Sequence, residues 1–348
     1  MIGDENVAEE LRAVTLADLA REVGTSASTA SRALSGRGYV SAPVRDRLLA
    51  TADRLGYVPN ASARTLKQRT SRVVGVVVSD LGNQFYAWLA LGIEQTLREA
   101  GYQMVIIGDN SDPTAEIEAA RTFVAMHVAG VIMTPVGPAP AAVLARHGVP
   151  VVEVDRRLAG VACDAVVLDN ERGARQATAH LLGAGHRRVA LLVADTDWTT
   201  DAGRLAGYLR GHADAGVPVD ERLILRVAFH AADAEDRIGA LLDAGRPTAV
   251  FAGNNTLAES AWRVLRQRGL RLPDDVSLVA FDDVPWMRMV DPQITAVAQP
   301  TVEMGRRAAA LLLRRASNPA APPRVERLQP ALVLRGSTFL APEQEKSA

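Results

Sequence analysis

Two short amphipathic stretches separated by one glycine limit most strongly how this chain can fold. Thr15 is a candidate N-cap, and the apolar residues after it recur at helical spacing: Leu16, Leu19, Ala20 and Val23. Gly24 can end this helix, because glycine adopts positive φ at little steric cost. A second helix can begin at once, with Thr25 or Ser26 as its cap. Two helices joined by a tight turn form a helix-turn-helix, whose second helix can enter a major groove.

The outward face of the second helix suits close approach to DNA. It carries Ala27, Ser28, Ser31 and Arg32. Small side chains let the backbone come near a groove, and a guanidinium can donate to a guanine edge or a phosphate. The alternative for Arg32 is an ordinary solvated arginine. Residues 14–70, however, contain nine basic and four acidic residues, a net charge of +5 in a chain of formal charge −1, which favours a phosphate-facing unit.

A third helix is expected after Ser41, with Pro43 in its first turn, where a missing N–H costs nothing. Gly56 supplies its stop. Its apolar stripe can close a small three-helix core: Val44, Leu48, Leu49, Ala52 and Leu55.

The residues before Pro59 read as extended, and Asn60 can cap one last helix over residues 61–68. Two turns of isolated helix are marginal in water, so this segment is expected to be disordered until something holds it. Leu66 is its one large apolar residue, with Arg64 and Lys67 beside it. A leucine flanked by cations suits insertion into a minor groove, and a plain basic linker is the alternative.

Five runs occur in order across this region: T-L-A-D-L-A, S-A-S-T-A-S-R-A-L, V-S-A-P-V-R, L-G-Y-V-P-N and A-R-T-L. Together they resemble the DNA-binding headpiece and hinge helix of the LacI/GalR family of bacterial repressors. In that family the second helix reads the major groove and the hinge leucine opens a central base step. Some members carry a larger side chain where this chain has Ala27. The DNA contacts that the resemblance implies are Thr15, Ser26, Ala27, Ser28, Ser31, Arg32, Asn60, Arg64, Leu66 and Lys67.

From Arg72 the pattern changes to strands alternating with helices. Residues 73–79 are a continuous apolar run, as in a strand buried on both faces of a parallel sheet. The alternation continues to about residue 154 and restarts at about residue 166. Such repetition predicts an α/β fold with two doubly wound parallel sheets, hence two lobes with a cleft between them.

Polar residues follow the predicted strands, where ligands of open α/β sheets bind. They are Ser79, Asp80, Asp109, Asn110, Asp155, Arg156, Asp169, Asn170, Asn254, Asn255, Asp282 and Asp283. For Asp169 and Asn255 the alternative role is a helix cap. The set as a whole predicts a cleft rich in hydrogen-bonding groups.

A second group of runs includes G-V-V-V-S-D-L-G-N-Q-F-Y, V-D-R-R, L-D-N-E-R-G-A, P-T-A-V-F-A-G-N-N and P-D-D-V-S-L-V-A-F-D-D-V-P. These runs resemble the effector domain of the LacI/GalR family, itself similar to periplasmic sugar-binding proteins. Gln84 and Asn255 stand where the family often has proline and aspartate. By resemblance, the effector contacts are Tyr86, Asp155, Arg204, Asn254 and Asp282, with Trp198, Thr200 and Phe229 as specificity positions.

The expected function is a DNA-binding repressor that acts as a homodimer on a pseudo-palindromic operator. Its effector is expected to be a sugar or sugar derivative, because carboxylates accept from hydroxyls and aromatic faces pack on sugar rings. A purine or another metabolite acting as co-repressor is the alternative, and the residues leave open whether the effector induces or co-represses.

The domain boundaries predicted from the sequence cover the whole chain. They are a disordered tail at 1–13, a headpiece at 14–59, a hinge helix at 60–70, an effector and dimerisation domain at 71–340 and a tail at 341–348. The N-lobe is expected to take residues 71–168 and 299–326, and the C-lobe residues 169–298 and 327–340.

Other classes of protein fit the sequence less well. It has no G-x-S-x-G elbow, no Walker A run and no metal-ligand spacing of histidines, so neither an enzyme nor a metal or cofactor site is expected. A solute-binding protein would need a signal peptide, and the acidic first residues do not resemble one. With Cys163 as the only cysteine and no apolar run of membrane-spanning length, a bacterial cytoplasmic, nucleoid-associated location is expected.

Overall fold

The computed structural model of the chain describes residues 14–36, 38–58, 71–158, 160–228 and 231–339. The chain divides into two compact units, with the boundary between Ser71 and Arg72. The first contains helices α1 (Leu16–Val23), α2 (Ala27–Ser35) and α3 (Ala42–Arg54). Several predicted features lie outside the described residues: both tails, the hinge helix with Asn60, Arg64, Leu66 and Lys67, and Phe229.

Side-chain caps fix where the first two helices begin. Thr15 Oγ1 accepts the N–H of Asp18 at 3.2 Å, and the Asp18 carboxylate accepts the N–H of Thr15 at 3.0 Å, which forms a capping box. Gly24 ends α1 with φ of +71°. Ser26, rather than Thr25, caps α2 by accepting the N–H of Thr29 at 3.2 Å. The predicted helix-turn-helix is therefore present, with its ends fixed by the expected residue types.

One apolar core joins the three helices. Its buried residues are Leu19, Ala20, Val23, Ala30, Ala33, Val40, Leu48 and Ala52. The prediction that Leu49 belongs to the inward stripe was wrong, because Leu49 is 44% exposed while its neighbour Leu48 is fully buried. Adjacent helical residues point about 100° apart, so the two leucines cannot both face this narrow core.

The second unit contains two six-stranded sheets. The strands of the first sheet are β1 (Val73–Val78), β2 (Gln103–Gly108), β3 (Gly130–Met133), β4 (Val151–Asp155), β5 (Asp164–Leu168) and β11 (Val325–Leu328). Their order is β11-β5-β4-β3-β1-β2, and all pairs are parallel. Its helices are α4 (Gln84–Glu99), α5 (Pro113–Ala125), α6 (Ala139–Arg146) and α11 (Thr301–Ser317). These elements form the N-lobe.

The strands of the second sheet are β6 (Val189–Ala194), β7 (Ile224–Val227), β8 (Ala249–Ala252), β9 (Ser277–Phe281), β10 (Thr295–Ala298) and β12 (Ala331–Val333). Their order is β12-β10-β9-β8-β6-β7, and among these described strands the β10–β12 pair is antiparallel and the other pairs are parallel. Its helices are α7 (Asn170–Gly183), α8 (Thr199–Asp214), α9 (Ala234–Gly245) and α10 (Asn255–Gln267). These elements form the C-lobe and confirm the predicted two-lobed α/β fold.

The chain passes between the lobes three times, from β5 to α7, from β10 to α11 and from β11 to β12. β11 belongs to the N-lobe sheet and ends at Leu328, so this lobe extends two residues past the predicted boundary at 326. The strands and helices expected from the sequence pattern include none between residues 217 and 233 and none after residue 281, so β7, β10, α11, β11 and β12 were missed.

Glycines permit one close helix crossing in the N-lobe. A Cβ atom on Gly92 of α4 would lie 2.0 Å from the carbonyl oxygen of Val302 in α11, and one on Gly305 would lie 2.2 Å from the carbonyl oxygen of Leu89. The two helices are therefore in backbone-to-backbone contact. Since α4 begins beside the cleft between the lobes, this crossing fixes the position of one cleft wall.

Candidate functional sites

Most of the predicted DNA-reading residues that the structure describes in the first unit are exposed. Ser26, Ala27, Ser28 and Arg32 are exposed on α2, Ser31 is half-buried, and Thr15 is exposed at the start of α1. The Arg32 guanidinium lies along its own helix: Nε donates to the Ser28 carbonyl at 3.3 Å and Nη2 to Thr29 Oγ1 at 3.3 Å. Both bonds are long, so a base edge can replace them at small cost.

Thr15 and Ser26 have local structural roles as well. Thr15 Oγ1 lies 2.6 Å from Asp18 Oδ2, and Ser26 Oγ lies 2.9 Å from the hydroxyls of Ser28 and Thr29. Both hydroxyls are therefore occupied as helix caps. Ala27 and Arg32 are exposed on α2 and take no part in its cap.

A cleft in the second unit brings together seven of the eight predicted effector contacts. It encloses about 460 Å³ of open space including its mouth. The predicted residues that line it are Tyr86, Asp155, Trp198, Thr200, Arg204, Asn254 and Asp282. Arg156, expected at the cleft because it follows a strand, also lines it, and further lining residues that were not predicted are Asn83, Phe85, Ala194, Asp201, Thr256 and Gln299.

The side chains that line the cleft lie at the ends of strands and at the starts of helices. Asp155 ends β4 and Asp282 follows β9, and both have positive φ, +68° and +72°, which turns the chain sharply at the sheet edge. Tyr86 lies in the first turn of α4, and Trp198 immediately precedes α8. The cleft thus lies at the carboxyl ends of the strands, as expected for open α/β sheets.

Arg156 is buried in the floor of the cleft and touches both lobes. Its Nη1 donates to Ser79 Oγ at 2.9 Å and its Nη2 to the Tyr86 hydroxyl at 3.1 Å. The guanidinium carbon lies 3.3 Å from the centre of the Trp198 ring, which belongs to the C-lobe. A cation–π contact stabilises most when the cation is shielded from water, and the Arg156 guanidinium that joins the two lobes here is buried.

Arg204 is similarly committed to protein groups. Its Nε donates to Asn170 Oδ1 at 3.0 Å, its Nη1 donates to the Gly253 carbonyl at 2.7 Å, and its guanidinium lies 4.0 Å from the centre of the Phe281 ring. These contacts hold one face of α8 against α7 and the end of β8.

Three carboxylates supply acceptors in the cleft. Desolvation raises the pKa of Asp155 to about 6, and the nearby guanidiniums of Arg156 and Arg204 oppose that rise. Asp282 accepts the N–H of Asn255 at 3.2 Å and a bond from the Gln299 amide. Asp201 accepts from the Thr196 hydroxyl at 2.7 Å. The sequence could have indicated Asp201 as a cleft residue, because it lies one helical turn before the predicted contact Arg204.

Two further hydrogen bonds join the lobes across the cleft. Asn255 Nδ2 donates to Asn83 Oδ1 at 2.9 Å, and the N–H of Arg157 donates to Thr199 Oγ1 at 3.1 Å. The lobes are thus in direct contact beside the cleft.

Two of the polar residues that follow strands have roles elsewhere. Asp169 caps α7 by accepting the N–H of Arg172 at 3.1 Å, the alternative expected for it. Asp283 binds Arg335 at 2.7 Å and Arg288 at 2.8 Å, which lowers the pKa of its carboxyl. Position after a strand therefore does not by itself place a side chain in the cleft.

An exposed helix-turn-helix and a two-lobed polar cleft in one chain define a DNA-binding regulator that responds to a small molecule. A family model described as bacterial regulatory proteins, lacI family, matches residues 15–60, and one described as a periplasmic binding protein-like domain matches residues 178–338. The HTH-type transcriptional regulator CelR of Thermobifida fusca is 35% identical over 94% of this chain and 99% of its own length.

Solved structures give the same relationship. A transcriptional regulator CelR–cellobiose complex superposes with a TM-score of 0.71 at 32% identity, over 93% of this chain and 99% of that one. The lac repressor dimer bound to operator and the anti-inducer ONPF superposes with a TM-score of 0.83 at 26% identity, over 94% of this chain and 100% of that one. The chain belongs to the lacI family of bacterial regulatory proteins, whose members among these relatives are transcriptional regulators and not enzymes. Within the described ranges, no helix combines the length and apolarity needed to cross a bilayer.

Proposed function

We propose that this transcriptional repressor is controlled by a neutral carbohydrate bound in the cleft. The observation that carries the proposal is how the charged groups there are used. The guanidiniums of Arg156 and Arg204 donate to protein oxygens, and three carboxylates, Asp155, Asp201 and Asp282, line the cleft beside these two cations. Carboxylates accept readily from hydroxyl groups, and they repel a phosphate or a carboxylate on a ligand.

Aromatic rings support the same choice of ligand. Phe85, Tyr86 and Trp198 border the cleft, and an aromatic face packs well against the apolar side of a sugar ring. The CelR relative of similar structure was solved with cellobiose, which is consistent with a carbohydrate in this cleft.

A thermal-shift screen tests this proposal. A ligand that binds only the folded protein raises its melting temperature, and the rise grows with ligand concentration over Kd. Neutral mono- and disaccharides should stabilise the protein, and sugar phosphates should not. Stabilisation by a purine in the absence of any response to sugars would select the metabolite co-repressor instead.

Arg32 is proposed to read an operator base. Replacing it with alanine should cost about 1–3 kcal/mol on the operator and relax sequence choice at one position, because a bidentate base contact is lost. Fluorescence anisotropy on operator and on random duplex measures both effects. Arg210→Ala serves as the control, since Arg210 is exposed on α8 in the other unit. Equal losses for Arg32→Ala on the two duplexes would remove the base-reading role.

We also propose that the protein binds a pseudo-palindromic operator as a homodimer. A single headpiece buries too little surface for tight, specific binding, and two-fold protein symmetry matches paired half-sites. The lac repressor was solved as a dimer on operator, which supports this arrangement. Light scattering should give twice the chain mass of 37.1 kDa. A monomer or a tetramer at working concentration contradicts the proposal.

A further inference from the structure

A groove in the C-lobe carries an excess of arginine, and we call it the basic groove. It encloses about 840 Å³ of open space, including its opening, and shares none of its described lining residues with the cleft between the lobes. It lies between α9 and β7, the strand at the edge of the second sheet. The charged side chains that line it give a net charge of +2: Arg188, Asp220, Arg222 and Arg237. The groove is thus a second concave surface, which effector binding in the cleft does not use.

Two of the three arginines are held in place by neutral groups. Arg188 donates through Nε to the carbonyl of Arg246 at 3.3 Å and through Nη2 to the carbonyl of Gly245. Arg237 donates through Nη2 to the carbonyl of Arg226 at 2.6 Å. Within the part of the chain that the structure describes, neither guanidinium forms an ion pair with a carboxylate. Both cations are therefore fixed in position, and neither has an acidic partner.

Among the described lining residues Asp220 is the one acid, and it is already paired. Its two carboxylate oxygens accept from Nε and Nη2 of Arg222 at 2.9 Å each. These bonds lower the pKa of the Asp220 carboxyl, and the charge of Arg188 adds a smaller effect in the same direction. Since Asp220 and Arg222 neutralise each other, the charges of Arg188 and Arg237 remain for a ligand.

The two unpaired cations lie at opposite ends of α9. Arg237 is the fourth residue of the helix, whereas Arg188 contacts its last carbonyls. The eight residues from Arg237 to Gly245 rise about 12 Å along the helix axis. The lining between the two cations is apolar: Leu225, Ala240, Leu241 and Ala244. The groove thus presents a cation, an apolar floor and a second cation in sequence.

We propose that the basic groove binds an extended acidic peptide segment of a partner protein. In an extended chain alternate side chains point to the same face, and each residue advances about 3.3 Å. Two acidic residues four positions apart are then separated by about 13 Å, close to the separation of the two cations. The residue midway between them faces the floor, where an apolar side chain is favoured. The groove therefore fits the pattern acid-x-apolar-x-acid.

Other anionic partners fit the groove less well. A single phosphate cannot contact both unpaired cations, because they lie at opposite ends of α9. A nucleic acid strand carries a negative charge at every phosphate, and the apolar floor offers no cation to most of them. Bases of single strands also bind by stacking on aromatic rings, and no described residue that lines the groove is aromatic.

Fluorescence anisotropy on the full chain tests the proposal with four labelled peptides of equal length. The matching peptide contains E-S-L-S-E, the second replaces its leucine with glycine, the third rearranges the same residues as E-E-S-S-L, and the fourth contains K-S-L-S-K. The matching peptide should bind about fivefold tighter or more than each of the others, because it alone meets both cations and the floor. Equal binding of the three acidic peptides, or no binding of the matching one, overturns the proposal.

Charge variants inside the groove give an independent measurement. Ala240 is exposed on the face of α9 that lines the groove, so its replacement changes the charge there and removes none of the arginine contacts. Ala240→Glu should weaken the matching peptide about fivefold or more, and Ala240→Lys should tighten its binding. Ala213→Glu is the matched control and should bind as the wild type does. Ala213 is exposed on α8, which packs on the opposite face of the same sheet.

The variants also decide where the peptide is held and what the groove prefers. If both Ala240 variants bind the matching peptide as tightly as the wild type, the peptide is held elsewhere and the proposal is wrong. If Ala240→Glu weakens a labelled oligothymidylate but not the peptide, the groove binds nucleic acid and the proposal is also wrong. Neither result bears on the effector, since the groove and the cleft have separate linings.

Discussion

Asp282→Ala should weaken effector binding about thirtyfold or more while effector-free operator binding stays at the wild-type level. Asp282 is 7% exposed and faces the cleft at the end of β9, where the N–H of Asn255 and the Gln299 amide hold its carboxylate. Removing one partner of a buried, hydrogen-bonded charge contact costs about 2–5 kcal/mol. Each ~1.4 kcal/mol is a tenfold change in affinity. Calorimetry with the sugar identified by thermal shift measures the loss.

Two further variants isolate the cause. Asp282 has φ of +72°, which asparagine tolerates better than alanine, so Asp282→Asn removes the charge with little added backbone strain. Asp282→Asn should also weaken effector binding. Asp274→Ala is the control. It removes an exposed carboxylate that pairs with Arg271, and it should leave effector affinity and operator binding unchanged. Effector affinity that survives both substitutions of Asp282 would exclude this carboxylate from the ligand contacts.

Gly92→Ala should destabilise the effector domain by about 3 kcal/mol, at the upper end of the usual cost of overpacking. The new methyl group would lie 2.0 Å from a backbone carbonyl oxygen, which a rotamer change cannot relieve, so α4 and α11 must separate. For a domain of this size each kcal/mol lowers the melting temperature by about 2–4 °C. Scanning calorimetry and urea unfolding measure the effect.

Gly137→Ala is the matched control for this glycine crossing. A Cβ atom at Gly137 meets nothing within 4 Å, and the N–H that Gly137 donates to Glu116 remains. Its stability should stay within about 0.5 kcal/mol of the wild type, as for most harmless substitutions. If Gly92→Ala were equally harmless, the two helices would not be in fixed contact.

Features set by local spacing could be read from the sequence. Thr15, Gly24 and Ser26 act through residues no more than four positions away, and these predicted helix limits are present in the structure. The continuous apolar run of β1 was equally readable, since a strand covered on both faces needs no polar alternation.

Features that depend on contact between distant segments could not be read in this way. Arg156 was expected near the cleft because it follows a strand, but its hydrogen-bond partners Ser79 and Tyr86, 77 and 70 positions earlier, could not be foreseen. Gln299 reaches Asp282 because β10 pairs in parallel with β9, so that the residues following the two strands lie side by side. Helix α11 is different: the pattern reading stopped at residue 281, although the buried residues of this helix recur at helical spacing and could have been recognised. They include Met304, Ala308, Leu311 and Leu312.

The three crossings between the lobes mean that neither lobe corresponds to one continuous piece of the gene. A fragment that ends before α11 keeps five strands of the first sheet but exposes the edge of β5 and uncovers the face on which Met304 and Ala308 pack. A fragment that begins at α7 carries α11 and β11 without the sheet they cover and extend. A sensor built by exchanging ligand specificity between relatives therefore has to transplant both lobes together, or replace individual cleft residues in place.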